Sequence, residues 1–303
     1  MEPKVYVVIV TYNGSKWIRK CLDAVLKSTI PVNVLVIDNC STDNTVEIIK
    51  TGFPEVKLLE QEGNLGFGKA NNVGIRLALD EGADYFLLLN QDAYVEKRMI
   101  QELVNVFETD QENVGIVSPV HLSANGSLDF GFQDHIMRYA STESYQAILS
   151  RKEGVYKTDF INAACWLVNR NTIETVGVFN PLFPHYGEDN DFVNRLHYFG
   201  LGIKVSTKTT VIHDRIQTEN LKFKSLTGRE KVSFCKHMAN VKLSILKALL
   251  TVFDKWIRET VYYLFTGKWN KMVAVNIGWF TIWGSMKRIL KSRKVSETKG
   301  AYL

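Results

Sequence analysis

The sequence predicts an α/β fold, a mostly parallel sheet flanked by helices, with a helical extension at the C-terminal end. Three observations carry this. Short apolar, β-branched runs alternate with stretches of helical spacing from Val5 to Val120. Each run ends in a polar or glycine-containing turn, the pattern of strands buried between layers of helices. Past Leu221 the composition shifts to basic residues interleaved with apolar ones at helical spacing.

The elements follow in order. "VYVVIVTYN" is a buried strand ending at Asn13-Gly14, and "SKWIRKCLDAVLKS" is a helix with Ser15 as candidate N-cap. "VNVLVID" is the second strand, "NCSTDNT" a polar loop, and "TVEIIK" opens the second helix. "VKLLEQ" is a third strand, "GNLGFG" a glycine loop, and "KANNVGIRLALDEG" a helix ending in glycine. "YFLLLNQD" is the fourth strand, "VEKRMIQELVNVFE" a helix, and "VGIVSPV" closes the series. Residues 122–160 are irregular and suit the lining of a groove. "FINAACWLVNRNTIETVG" reads as strand into helix, "GEDNDFVNRLHYFG" as a helix, and "GIKVSTKTTVIH" as one or two short strands.

In such a sheet, ligands bind beyond the C-terminal ends of the strands. Thr11, Tyr12, Asn13, Asp38, Asn39, Asn90, Gln91 and Asp92 all stand at those ends, so the fold gathers them along one edge. Asp38 is an acceptor for a base or ribose, or a turn residue with Thr42 or Asp43 capping the next helix. The glycines Gly63, Gly66 and Gly68 fit neither GxGxxG nor a P-loop; they admit a phosphate or simply lead into a helix. Asp92, just past a buried strand, has the place of a Mg²⁺ or Mn²⁺ ligand or of a solvated turn residue. The cluster Glu188, Asp189 and Asp191 either complements a helix dipole or carries chemistry, and Asp191–Arg195 has the spacing of a helical ion pair.

The ordered motifs "VVIVTYNG", "VLVIDNCSTDNT", "EGNLGFGKANNVGI", "LLLNQDAYV" and "HYGEDNDFVNRLHYFG" resemble those of family 2 glycosyltransferases, most of all rhamnosyltransferase-like bacterial enzymes of surface polysaccharide synthesis. The likeness spans roughly residues 4–215. It implies a GT-A fold, a nucleotide-sugar donor, Mg²⁺ or Mn²⁺, and inversion at the anomeric carbon. By position it implies that Thr11, Tyr12, Asn13, Asp38, Asn64, Lys69, Asn71 and Gln91 lie at the nucleotide. Asn90-Gln91-Asp92 stands where the family has DxD, with Asn90 departing from the pattern; Asp92 is the expected metal ligand. His213 is a second ligand or a packed strand-end histidine. Asp189 matches the general base, Glu188 orients it or binds the acceptor, and Trp166 is expected to wall the acceptor side.

The catalytic domain is expected over 1–220, with a nucleotide-sugar half to 121 and an acceptor half from 122, and a basic amphipathic tail over 221–303. The tail holds 17 Lys and Arg against four acids, a balance of +13 that leaves −8 for the rest of a chain with net charge +5. The apolar stretch Val273–Met286 falls short of the roughly 18 residues needed to span a bilayer. The tail is therefore expected to lie on the inner face of the cytoplasmic membrane, the alternative being helices that pack on the catalytic domain or on a second subunit as a homodimer. The scattered cysteines exclude a CxxC zinc site and suit a reducing cytosol, and the N-terminal apolar run is too short for an export signal. No nucleic-acid module is present in the motifs. The rival activities are a sugar-1-phosphate nucleotidyltransferase, which "TYNGSKW" fits poorly, and a non-catalytic sugar-binding or scaffold protein.

Overall fold

The structure is a computed structural model that describes residues 2–110, 112–214 and 223–303, with side chains of the last segment described from 226 onward. In chain order its elements are β1 (Val5–Thr11), α1 (Ile18–Leu26), β2 (Val32–Asp38), α2 (Thr45–Gly52), β3 (Lys57–Glu60), α3 (Phe67–Asp80), β4 (Tyr85–Asn90), β5 (Ala93–Val95) and α4 (Met99–Thr109). Then follow β6 (Val114–Leu122), α5 (Phe130–Tyr139), α6 (Thr142–Leu149), β7 (Val155–Thr158), β8 (Cys165–Asn169), α7 (Arg170–Val176), α8 (Glu188–Tyr198) and β9 (Gly202–His213). Helices α9 (Phe223–Ala239), α10 (Ile245–Phe265) and α11 (Trp269–Ser296) complete the chain.

One sheet runs β3-β2-β1-β4-β8-β6-β9-β5, with β7 added on β9. Its first four strands are parallel; β8 enters antiparallel to both β4 and β6, and the far half is mixed. Strand alternation feeds two cores. Tyr6, Val8, Leu35, Ile37, Phe86 and Leu88 pack one face with residues of α3, α7 and α8. Val5, Val7, Ile9, Val36, Leu87 and Leu89 pack the other with α1, α2 and α4. Both faces are covered, which is why these strands read as unbroken apolar runs.

Several local expectations change. Ser15 does not cap α1, whose N-cap is Trp17. Residues 122–160 hold two real helices, capped by Asp129 and Ser141. "GIKVSTKTTVIH" is one strand whose register slips between Pro119 and Val120 of its neighbour.

The last three helices build a third core around Phe183, Phe234, Met238, Val252, Val275, Trp279 and Ile282. The chain then returns to the sheet layer: Val178 N–H donates to the Ala301 carbonyl (2.9 Å), and Arg76 reaches the Tyr302 carbonyl (2.6 Å). Gly177 has φ 86°, and a Cβ there would sit 1.8 Å from the Ala301 carbonyl oxygen, so only glycine fits. The tail is thus sealed onto the α/β unit at both Phe183 and Ala301. The boundary expected at 220/221 lies outside the described residues. Among the described residues, no helix is long and apolar enough to cross a membrane.

Candidate active site

The ends of β1, β2 and β4 are tied together by side chains. Thr11, fully buried, donates its hydroxyl to Gln91 Oε1 (2.6 Å), which also accepts from the Tyr12 N–H (3.0 Å). A Cβ on Gly14 would lie 2.3 Å from Gln91 Oε1 and 2.5 Å from Thr11 Oγ1, so a side chain there would displace this hydrogen bond. Asn13, at φ 47°, accepts from the Thr42 N–H (2.8 Å), while its own N–H donates to Ser41 Oγ (2.9 Å). Asp38 accepts from the Ser41 N–H (2.9 Å) and hydroxyl (2.5 Å). A carboxylate has about four acceptor sites, so Asp38, itself buried, keeps acceptor capacity beyond the two bonds from Ser41. Tyr12 presents an exposed ring beside this cradle.

The glycine loop has a different cause from phosphate approach. Gly66 has φ 80°, and a Cβ would meet the Pro184 carbonyl oxygen at 2.1 Å. The loop is glycine-rich because it docks against the segment leading into the acid cluster. Asn64 is exposed and accepts from the Gly66 N–H (2.9 Å); Lys69 is exposed on the first turn of α3. Asn71 departs from expectation. It is buried and donates to the Phe67 carbonyl (3.0 Å), so its amide serves the helix and does not reach a nucleotide.

Asp92 and His213 come together because β5 pairs antiparallel with β9, Ala93 opposite His213. His213 Nε2 lies 3.5 Å from Asp92 Oδ1 and 3.4 Å from Asn90 Nδ2. Neighbouring donors on one six-coordinate ion at ~2.2 Å bonds sit ~3 Å apart, so this pair fits a divalent cation. Imidazole with carboxylate suits Mn²⁺ better than Mg²⁺, which prefers oxygen throughout. Among the described residues no third His, Cys, Asp or Glu completes a cluster, so an ion held here would have to take its remaining ligands from water and ligand oxygens.

Helix α8 opens at Gly187, in left-handed conformation, and brings Glu188 and Asp189 forward. The two acids have different settings. Glu188 is buried with Oε2 unpartnered, and burial pushes it up to about 7, the Asp189 charge adding to the shift. Asp189 lines a cavity of about 460 Å³ with Asn190, Tyr139, Phe160, Tyr186 and Lys236. Burial also raises Asp189, opposed by the Asn190 N–H (2.7 Å) and by the charges of Lys236 and His135. Asp191 points away. It pairs with Arg195 (2.9 Å) in the interior, as the spacing predicted.

Trp166 is a correction. It is 0% exposed, stacked on Phe179 (6.4 Å, 22°) and tilted on Phe192 (5.8 Å), so it belongs to the core and touches no acceptor. Its side chain alternates onto the same face as Leu88, its partner in β4. The aromatics that do line the acid cavity are Tyr139, Phe160 and Tyr186. Lys236 and Arg229 of α9 line it too, and neither stood out from the basic tail. Another surface concavity, about 920 Å³, lies at the starts of β1 and β4 around Lys4, Asp84 and Arg170, and none of the candidate residues lines it.

Comparison with known proteins decides the family. The profile described as "Glycosyl transferase family 2" matches residues 6–177. The chain belongs to glycosyl transferase family 2. Its relatives are distant. This glycosyltransferase is 24% identical to glycosyltransferase GlyG of Streptococcus pneumoniae over 86% of this chain and 82% of that protein. It is 26% identical to the dTDP-rhamnosyl transferase RfbF of Shigella flexneri, covering 70% of each. It is 25% identical to an N-acetylglucosaminyl-diphospho-decaprenol L-rhamnosyltransferase of Mycobacterium tuberculosis, over 86% of this chain and 89% of that one. Among solved structures, S. aureus TarS in complex with UDP matches at TM-score 0.55 and 17% identity, over 81% of this chain and 68% of TarS. The glycosyltransferase therefore shares the GT-A fold, and the nucleotidyltransferase alternative falls away.

Proposed function

We propose that this glycosyltransferase moves a sugar with inversion from a nucleoside-diphosphate-sugar, dTDP-rhamnose-like or a UDP-sugar, to a hydroxyl of a saccharide or lipid-linked acceptor in surface polysaccharide synthesis. The observation that carries it is the division of labour between two ends of the site. One end gathers Tyr12, Asn13, Asp38 and Gln91 as a polar cradle; the other sets Asp189 in a cavity wall. RfbF and the mycobacterial relative, both named as rhamnosyl transferases, favour a deoxysugar donor.

Inversion needs one base opposite the leaving group, to take the acceptor proton as its oxygen attacks the anomeric carbon. Asp189 is that base, since it faces the cavity while Glu188 is buried behind it. Its raised proton affinity suits the task, and the Asn190 N–H and the Lys236 charge oppose that rise. Asp92 and His213 would hold Mg²⁺ or Mn²⁺. That ion supplies charge neutralisation of the diphosphate. Asp38 accepts from base or ribose, and Gln91, fixed by Thr11, orients the nucleotide's edge of the pocket. Screening UDP- and dTDP-sugars for transfer or slow hydrolysis with Mn²⁺ tests this. One or a few donors should turn over; a protein inert to all, while binding sugars, would be a scaffold.

We also place the protein in the cytoplasm, on the inner membrane face. Leu246, Leu250, Phe253, Ile257, Val261 and Leu264 form an exposed stripe along α10, near Lys247, Arg258, Lys268 and Lys271. Apolar burial and attraction of about 1 kcal/mol per engaged cation to anionic lipid would act together. Because the tail is sealed onto the α/β unit, the test is substitution within the stripe, not truncation. The full chain should float with anionic vesicles, less so in high salt, and Leu250→Glu with Phe253→Glu should not. A stable dimer that ignores vesicles would assign the stripe to self-association.

A further inference from the structure

We propose that the cavity before Asp189 is built for an acceptor carrying phosphate, with Arg229 and Lys236 as its phosphate-binding pair. This deepens the glycosyltransferase reading and rests on Asp189 being the base. The cavity has two kinds of wall. Tyr139, Phe160 and Tyr186 supply ring faces, with Tyr139 and Phe160 5.3 Å apart, and such faces pack on the apolar side of a sugar. Arg229 and Lys236 supply charge from α9, where a spacing of seven places both on one face of the helix.

The two cations outnumber the acids facing them. Asp189 is the one carboxylate among the described residues lining this cavity. Lys236 donates to Asn190 Oδ1 (2.8 Å) and sits in a setting that burial makes unfavourable for its charge. The Arg229 guanidinium lies over the Tyr186 ring (6.0 Å), and among the described residues no carboxylate pairs with it. Tyr186 itself is held at φ 65°, an uncommon conformation for a bulky residue, with its ring exposed toward Arg229. A second cavity of about 300 Å³ continues past Lys236, sharing Tyr139, Phe160 and Asn190 and adding Lys242 and one carboxylate, Asp159, so that the two cavities together carry three cations against two acids. Lys236 therefore stands at the middle of one groove.

A neutral sugar would satisfy the rings and leave the surplus charge unanswered. A phosphodiester carries about −1 charge and a diphosphate esterified at both ends about −2, each with several strong acceptor oxygens, and an arginine fork matches two of them. A sugar attached through phosphate or diphosphate would lay its ring on the aromatics, its hydroxyl at Asp189 and its phosphate between Arg229 and Lys236.

Calorimetry on the full chain tests this, with the donor end filled by UDP or dTDP and Mn²⁺. The probes are alkyl diphosphate esters of glucose, galactose and N-acetylglucosamine, the matching neutral alkyl glycosides, and inorganic diphosphate. At least one ester should bind about 10-fold or more tighter than its neutral partner, the scale of charge-assisted hydrogen bonds. Arg229→Gln and Lys236→Gln should each shrink that preference, and Arg229→Lys should keep part of it. The preference should weaken with salt. Equal binding of ester and neutral glycoside, or a preference unchanged in both Gln variants, overturns the proposal. So does inorganic diphosphate binding as tightly as the ester, which would mark an anion site and not an acceptor site. If the nucleotide binds normally in those cases, the glycosyltransferase reading survives and this one alone fails.

Discussion

Asp191 and Arg195 form an ion pair in the protein interior, Nε to Oδ2 at 2.9 Å, with the arginine wholly buried. The remaining guanidinium donors reach the carbonyls of Val176 (2.5 Å) and Val178 (2.9 Å), and its plane lies over the rings of Phe192 and Tyr302. Asp191 in turn accepts from Asn180 Nδ2 (3.0 Å), which also bonds Ser292 of α11. One residue pair thus links α8, the turn after α7, and the C-terminal helices. It is the frame on which the acid cluster is mounted.

Removing one partner of such a pair leaves a buried charge uncompensated, at a cost of about 3–5 kcal/mol. Arg195→Met should therefore lower the urea midpoint strongly, and Arg195→Met with Asp191→Leu should recover part of the loss. A single variant as stable as the wild type would show that the pair is not the frame described.

Glu188 gives a pH signature. Its folded value is about 7 against an ordinary 4.5, so the folded protein holds a proton that the unfolded chain releases. That proton stabilises the fold fully below about 4.5, and the contribution is lost as pH rises through 7. The gap between about 7 and 4.5 corresponds to at most about 3 kcal/mol. Glu188→Gln keeps the shape and cannot ionise, so it should lose less stability than the wild type between pH 5 and 8. Urea unfolding at both pH values measures it; parallel curves for the two proteins would place the charge elsewhere.

At the donor end, Asp92→Ala and His213→Ala should each weaken donor binding only where metal contributes. Calorimetric titration of the nucleotide sugar with Mn²⁺ and with chelator separates the two states. The wild type should lose affinity in chelator; the variants should already bind at that lower level. An unchanged difference in Asp92→Ala would remove Asp92 from the cation site.

How much of this was legible in the sequence depended on where the signal was local. β1, β2 and β4 are unbroken apolar runs, so strand and edge were readable, and the polar ends followed. The Asp191–Arg195 pair was readable from its spacing of four. The meeting of Asp92 with His213 was expected only from resemblance, since a strand pairing across 120 residues of chain leaves no local trace. Trp166 was placed on the acceptor side by resemblance alone, and because its strand is buried on both faces, alternation offers nothing to tell core from pocket. Asn71 misled because a polar residue at a helix start can serve the backbone. Arg229 and Lys236 were hidden within a tail rich in cations, and only the packing of α9 beside Asp189 separates them from the rest.

Asp189→Asn is the variant that bears on the chemistry most directly. The carboxylate is expected to take the acceptor proton, and asparagine has nearly the same shape without the basicity. Loss of a general base costs about 10²–10⁴-fold in turnover. Turnover should fall at least about 10²-fold, while nucleotide affinity stays near the wild-type value, because the residue lines the acid cavity and not the Tyr12–Asp38 cradle. Glu188→Gln provides the contrast: buried behind Asp189, it should reduce turnover much less. If Asp189→Asn turns over normally and Glu188→Gln does not, the base is Glu188, and the cavity wall has been assigned the wrong acid.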